Sequence, residues 1–149
     1  MNLSAYTYGL LATAILFTAT GCTWHVSPGA QYGAVSDENV VFTDESQAWQ
    51  KSGKFVEQND VAKIRVGTTK NEIYQLIGTP HFKEGFNARE WDYILKLHDA
   101  NPNVETCRYK IIFGDDYPGK MRGGNEFRVT ETYWQPASCA KYDQFTSQI

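Results

Sequence analysis

Long apolar runs are missing from this sequence. From Leu10 to Ala19 the residues are apolar or small, but about ten residues fall short of the roughly 20 that a membrane-spanning helix needs. That run has the length of a signal-peptide core, which is cleaved, and not of a span. An excess of positive charge is also lacking. The formal net charge is -3, which argues against non-specific nucleic-acid binding, since that relies on clustered Lys and Arg to neutralise phosphates. Cysteine is limited to three, and Cys22, Cys107 and Cys139 make no CxxC pair. His25, His81 and His98 are scattered, without the i, i+4 spacing or neighbouring carboxylates of a zinc site. Asp115 and Asp116, adjacent in a Gly-rich segment, do not follow the alternating ligand pattern of an EF-hand. No internal repeat, nucleophile elbow, phosphate loop or paired catalytic carboxylate is present, so the expectation is a non-enzyme with no metal and no cofactor.

What is present suffices for one compact domain. Apolar residues make up 42% of the chain and aromatics 14%, and a single core of roughly 100 residues is the usual unit. The apolar run ends in Ala19-Thr20-Gly21-Cys22, which resembles the lipobox that signal peptidase II cuts after diacylglyceryl transfer to the Cys thiol. It departs from that pattern in having Ala19 where Leu is preferred and no Lys or Arg in the n-region. If Cys107 pairs with Cys139, Cys22 is the cysteine left over for acylation; the alternative is ordinary signal cleavage with Cys22 as a free or disulfide-bonded thiol. The several acyl chains of a mature lipoprotein N-terminus make release from a membrane negligible. Thr23, where an Asp favours inner-membrane retention, points to the outer membrane.

Three regions are expected: a lipoprotein signal peptide over 1–21, a flexible tether over 22–48, and an α+β domain over 49–149. The tether is rich in Ser, Gly, Asp and Glu and contains Pro28-Gly29; Val40-Val41-Phe42 is an apolar patch with the length of a short edge strand, although such a patch in a linker more often forms no element. Asn59-Asp60 is a good N-cap pair before Val61, Ile64 and Val66, and Gly67 is a natural stop. Thr69 and Glu72 fit a capping box for a second helix through Ile73, Leu76 and Ile77, ended by Gly78 and Pro80. Helices this short are marginal alone and need a larger partner. Alternating segments supply it: Trp91, Tyr93, Leu95 and Leu97; Cys107, Tyr109, Ile111 and Phe113; and a third run from Phe127 and Val129 to Trp134. One face is apolar and the other mostly polar. Trp91 and Tyr93 share the apolar face and are expected in the core. The fold class is α+β, two short N-terminal helices packed on a three-stranded antiparallel sheet in the order α-α-β-β-β. Gly114 to Asn125 is too long for a tight hairpin. Antiparallel pairing brings Cys107 and Cys139 to the same end of the sheet. A disulfide there is worth on the order of 3 kcal/mol in the chain-entropy model, and export supplies the oxidising compartment. The rival is two reduced thiols acting as metal ligands or nucleophile.

The stretch Asn59 to Gly67, then Thr69, Leu76-Ile77-Gly78-Thr79-Pro80, Phe86 and Trp91-Asp92-Tyr93, closely resembles the BamE (SmpA/OmlA) family of outer-membrane lipoproteins, over roughly Gly53 to Phe113. Thr68 stands where the family usually has Met, and the Cys107/Cys139 pair with its longer C-terminal segment is absent from well-known members. The resemblance implies a non-enzymatic accessory or scaffold subunit of the β-barrel assembly machine. It would be lipid-anchored at the periplasmic face of the outer membrane, contact the BamA and BamD subunits and bind phosphatidylglycerol. The family's interaction surface falls on Gly53, Phe55, Val56, Phe86 and Lys96; for Phe55 and Phe86 a core position is the competing reading. The alternative function is a BamE-like domain redeployed as an envelope-stress or ligand-binding lipoprotein, or as a subunit of another secretion system.

Overall fold

A computed structural model describes residues 27–85, 87–99, 101–115 and 126–144. Cys22, Phe86 and the segment 116–125 lie outside the described residues. Strands β1 (Lys54–Phe55), β2 (Glu90–His98), β3 (Val104–Gly114) and β4 (Arg128–Gln135) form one sheet in the order β1-β2-β3-β4. Helices α1 (Gln58–Val61) and α2 (Lys70–Ile77) lie between β1 and β2 in sequence. The three expected strands are present and antiparallel, but a fourth joins them: β1 pairs with β2 in parallel, Lys54 opposite Leu95 and Phe55 opposite Lys96. The sheet is therefore mixed. A parallel pair needs a crossover, and the two helices provide it.

The alternation read in the strands sorts the side chains. Trp91, Tyr93, Leu95 and Leu97 from β2 and Cys107, Tyr109, Ile111 and Phe113 from β3 are all fully buried, and they pack with Ile73 and Ile77 of α2 and with Val61. Trp91 and Phe113 meet edge-to-face with ring centroids 5.0 Å apart. Helix α2 begins at the expected capping box: Thr69 Oγ1 accepts from the Glu72 N–H at 3.1 Å, and Glu72 Oε2 accepts from the Thr69 N–H at 2.7 Å. It ends at Gly78, which has a positive φ of 83°.

The first helix differs from the expectation. Its N-cap is Glu57, in extended backbone, so Asn59 and Asp60 already lie inside a helix of four residues. The chain then turns to bury Ile64 and to pair with β4: the Gly67 N–H donates to the Val129 carbonyl at 2.8 Å and the Val129 N–H to the Thr68 carbonyl at 2.9 Å. Satisfying the β4 edge ends the helix earlier than its apolar spacing suggests.

Residues 27–48, expected as a flexible tether, instead form a strap across the second face of the sheet. Three short 3-10 turns, Ala30–Tyr32, Asp37–Asn39 and Glu45–Gln47, carry it. Ala30 and Val35 pack on Ile112, and Ala48 packs with Phe82 on Ile94. Val41 and Phe42 do not form an edge strand; the Val41 N–H donates to Ser27 Oγ at 3.0 Å. Gly33 fits because its Cα lies against Gly114: a Cβ there would stand 2.6 Å from the Gly114 Cα.

The mostly polar face is thus closed, and charge is buried in it. Lys110 is fully buried, with Nζ 3.0 Å from both Glu90 Oε2 and Asp92 Oδ2. The strap supplies further donors to the same carboxylates: the Ser27 N–H to Glu90 Oε1 at 3.0 Å, and the Thr43 N–H and Oγ1 to Asp92 Oδ2 at 3.1 and 2.8 Å. In return Arg108 donates to the Thr43 carbonyl at 2.8 Å. Removing one member of such a group leaves an uncompensated buried charge. Lys110→Met is therefore expected to cost about 3–5 kcal/mol in urea unfolding, and to open the strap to proteolysis within residues 27–48. A loss below about 1 kcal/mol, the range of exposed ion pairs, would show that the ammonium does not hold this face together.

Candidate functional site

The strap stops short of the far end of the sheet. Beyond Ile94 the strap-side face of β2 presents Lys96 and His98, paired with Thr106 and Val104 of β3. Because Phe55 sits opposite Lys96 in the register, its side chain emerges on this same open face. Phe55 is 56% exposed and Val104 45%. The Phe55 and His98 rings stack at 5.8 Å with an interplanar angle of 23°, and Lys96 Nζ lies 5.5 Å from the Phe55 ring centroid. An aromatic plane flanked by an ammonium and an imidazole, with an apolar residue beside it, is a surface that a protein or lipid partner can cover.

Local chemistry holds the patch in place. Gly53 turns the chain into β1 with a φ of +68°, and a Cβ there would lie 2.7 Å from the Ile94 carbonyl oxygen; only glycine meets both demands. Lys54 points to the opposite face, where its Nζ donates to the Ile77 carbonyl at 3.0 Å and satisfies an open carbonyl at the end of α2. The Val56 N–H donates to the Lys96 carbonyl at 3.1 Å, and the half-buried Val56 side chain packs on the core. Four of the five residues expected in an interaction surface, Gly53, Phe55, Val56 and Lys96, are thereby brought together. Gly53 and Val56 shape it, while Phe55 and Lys96 are its accessible groups. Phe55 is no core residue. The fifth, Phe86, lies outside the described residues, as does Cys22.

His98, Val104 and Thr106 were not picked out in the sequence, although the alternation of β2 already sets His98 on the face of Lys96. The Cys107 and Cys139 sulfurs stand 1.99 Å apart, at bonding distance, tying the segment after β4 to β3. Glu105 lies beside both cysteines, but sulfurs joined to each other offer no thiolate to a metal.

Two other groups of polar residues are closed to ligands. Under the strap, burial and the neighbouring Asp92 charge push the Glu84 carboxyl up to about 8, and its Oε2 accepts the Asp92 N–H at 2.6 Å. His81 is buried, and burial followed by the Lys54 charge pushes it down to about 4. Its Nδ1 accepts the Ile94 N–H at 2.9 Å, which requires the neutral ring. On the core side, burial and then Arg89 push Lys70 down to about 8; its Nζ donates to the Ala88 carbonyl and lies 4.5 Å from the Phe113 ring centroid. These perturbed groups brace the sheet and its connections. A hollow of about 260 Å³ lined by Lys63, Thr68, Glu72, Gln75 and Leu76 is smaller than the roughly 300–1,000 Å³ of small-molecule sites.

Residues 53–119 match the family model described as the outer membrane protein assembly factor BamE domain. Among similar proteins, each called outer membrane protein assembly factor BamE, that of Polynucleobacter necessarius is 30% identical over 63 residues, covering 42% of this chain and 28% of the relative. The Escherichia coli K12 protein is 33% identical over 61 residues, 41% of this chain and 54% of the relative. The Xanthomonas campestris protein is 37% identical over 72 residues, 48% of this chain and 55% of the relative. The chain spans about half the length of the curated relatives it matches, and less of the first of these.

The two titrating groups under the strap tilt stability in opposite directions. Below about pH 6.5 the unfolded chain takes up a proton at His81 that the folded chain refuses until about pH 4, so stability is lost as pH falls through that window. Glu84 keeps a proton in the folded chain that the unfolded chain releases above pH 4.5, so its contribution weakens as pH rises from 4.5 towards 8. His81→Asn isolates the first effect. Between pH 7 and pH 4 the unfolding free energy of the unsubstituted protein should fall, relative to the variant, by on the order of 3 kcal/mol. Parallel urea-unfolding profiles across that range would contradict the assignment.

Proposed function

We propose that this chain, whose residues 53–119 match the BamE domain model, is a non-enzymatic accessory subunit of outer-membrane β-barrel assembly. In this reading acylated Cys22 holds the protein at the periplasmic face of the outer membrane, and the Phe55–Lys96–His98 patch docks a protein subunit of the assembly machine, in the manner of BamA or BamD. Phosphatidylglycerol is among the membrane lipids that surround the acylated Cys22. The parallel pairing of β1 with β2 supports the reading: it sets Phe55 and Lys96, two of the five positions to which the family resemblance points, side by side on one uncovered face.

The chemistry fits docking and not turnover. A stacked aromatic pair beside a cation offers apolar area with a directional charge at its rim, the composition of an interface hot spot. None of the buried titrating groups around Lys110 opens onto it. Because Phe55 and Lys96 are accessible and make few core contacts, their substitution should spare the fold.

Phe55→Ala and Lys96→Glu, introduced separately into the full chain, should each lower co-purification of barrel-assembly subunits from envelopes in mild detergent by roughly tenfold, the equivalent of about 1.4 kcal/mol. Thermal unfolding should move by no more than about 2 °C. Failure of the unsubstituted, lipidated protein to recover any barrel-assembly subunit would sink the proposal.

A further inference from the structure

The strap changes what a lipid anchor at Cys22 does to the domain. Ser27 is fully buried, bound through its N–H to Glu90 and through its Oγ to Val41. Ala30 is likewise buried, and Gly33 lies on Gly114. Only four residues separate Cys22 from Ser27, and the five steps from one Cα to the other reach at most about 18 Å. Were 22–48 a free coil, its root-mean-square span would be roughly 28 Å, and several times that when extended.

From these positions we infer that the anchor holds the Glu90–Gly114 end of the sheet against the bilayer and leaves the Phe55–Lys96 patch at the membrane-distal end. Lys96 stands six residues along β2 from Glu90, about 20 Å at the rise of a strand, and His98 about 26 Å. Tyr32, 78% exposed on the turn that packs against the end of β3, is an exposed aromatic at the proximal end, suited to the headgroup level of a membrane. A domain lying on its strap side would bring the patch down as well. That pose turns the exposed Asp37, Glu38, Asp44 and Glu45 towards an anionic surface; the strap itself holds no Lys or Arg, and the Arg108 guanidinium, 3.6 Å from Glu45, is a single cation beside four acids. The end-on pose keeps those four acids off the lipid. It therefore assigns the open patch to a protein partner standing away from the membrane and not to a lipid headgroup.

The inference depends on the anchor in the functional reading above, and the test separates the two. Full-length protein carrying an environment-sensitive fluorescent amino acid at position 32 or position 55 is extracted from membranes, checked by mass spectrometry for acylation of Cys22, and reconstituted into vesicles of phosphatidylethanolamine and phosphatidylglycerol with brominated acyl chains as quencher. Quenching should be several-fold stronger at position 32. A flexible Gly/Ser insert of roughly 15 residues between Val26 and Ser27 should abolish that difference while the protein stays on the vesicles. Equal quenching at the two positions, or stronger quenching at 55, overturns the inference and returns the patch to lipid, leaving the anchor intact. A Cys22 without acyl chains overturns both readings.

Discussion

A lysine ammonium with no solvent exposure, held 3.0 Å from two carboxylates on the neighbouring strand, commits this fold to a second layer on its sheet. Desolvating Lys110, Glu90 and Asp92 costs several kcal/mol per ion, and mutual attraction offsets this only when the remaining oxygens find donors. Those donors are backbone and hydroxyl groups of residues 27 and 43. The strap therefore belongs to the fold as much as the helices do: without it the three charges on this face would meet only one another, and with it every carboxylate oxygen of Glu90 and Asp92 except Asp92 Oδ1 has a donor. Glu84 fits the same logic. Burial, and then the Asp92 charge beside it, hold the Glu84 carboxyl well above the usual carboxylate range, so that it keeps its proton.

Where the strap ends decides where the protein can be touched. It covers the sheet as far as Ile94 and then dives through Gly53 into β1, so the last two outward positions of β2 stay open. The new edge strand has only two residues, too short to template pairing with another chain. Its side chains go to opposite duties, Lys54 to the end of α2 and Phe55 to the open face. The patch is consequently tied to the helix layer through Lys54.

What could be read from the sequence was whatever depends on near neighbours. The capping box at Thr69 and Glu72 needs only three residues, and the strand alternation from Trp91 to Leu97 needs only a period of two; both are found as expected. The start of α1 at Glu57 was not legible, because Asn59 and Asp60 make equally good caps until tertiary pairing of Gly67 with Val129 fixes where the chain must turn. The β1–β2 pairing joins Phe55 to a residue 41 positions away, and two residues carry no period. Residues 27–48 misled for a related reason: their Ser, Gly and Asp content suits a tether, and their binding is done by backbone N–H groups and small side chains that composition does not distinguish from solvated ones. A signal was nevertheless present. Asp92 and Lys110 at alternate positions in otherwise apolar strands, with Val40-Val41-Phe42 upstream, indicate a polar face that has something to cover it.

The family match and the physical unit are not the same segment. Residues 53–119 contain β1, both helices, β2 and β3, yet within that span Lys110 has carboxylates but no roof, and the Gly67 and Thr68 backbone groups have no strand to bind. The roof comes from 27–48 and the strand from β4, on either side of the match. The sulfur pair of Cys107 and Cys139 then joins the end of the second addition to the middle of the matched sheet. The matched core is thus completed by segments that lie outside the match. One of those segments leads directly to Cys22, so the same residues that neutralise the buried carboxylates also fix which end of the domain an anchor would hold. Charge burial and membrane geometry are in this way a single constraint: releasing Ser27 from Glu90 would unsatisfy a buried carboxylate and lengthen the tether in the same step.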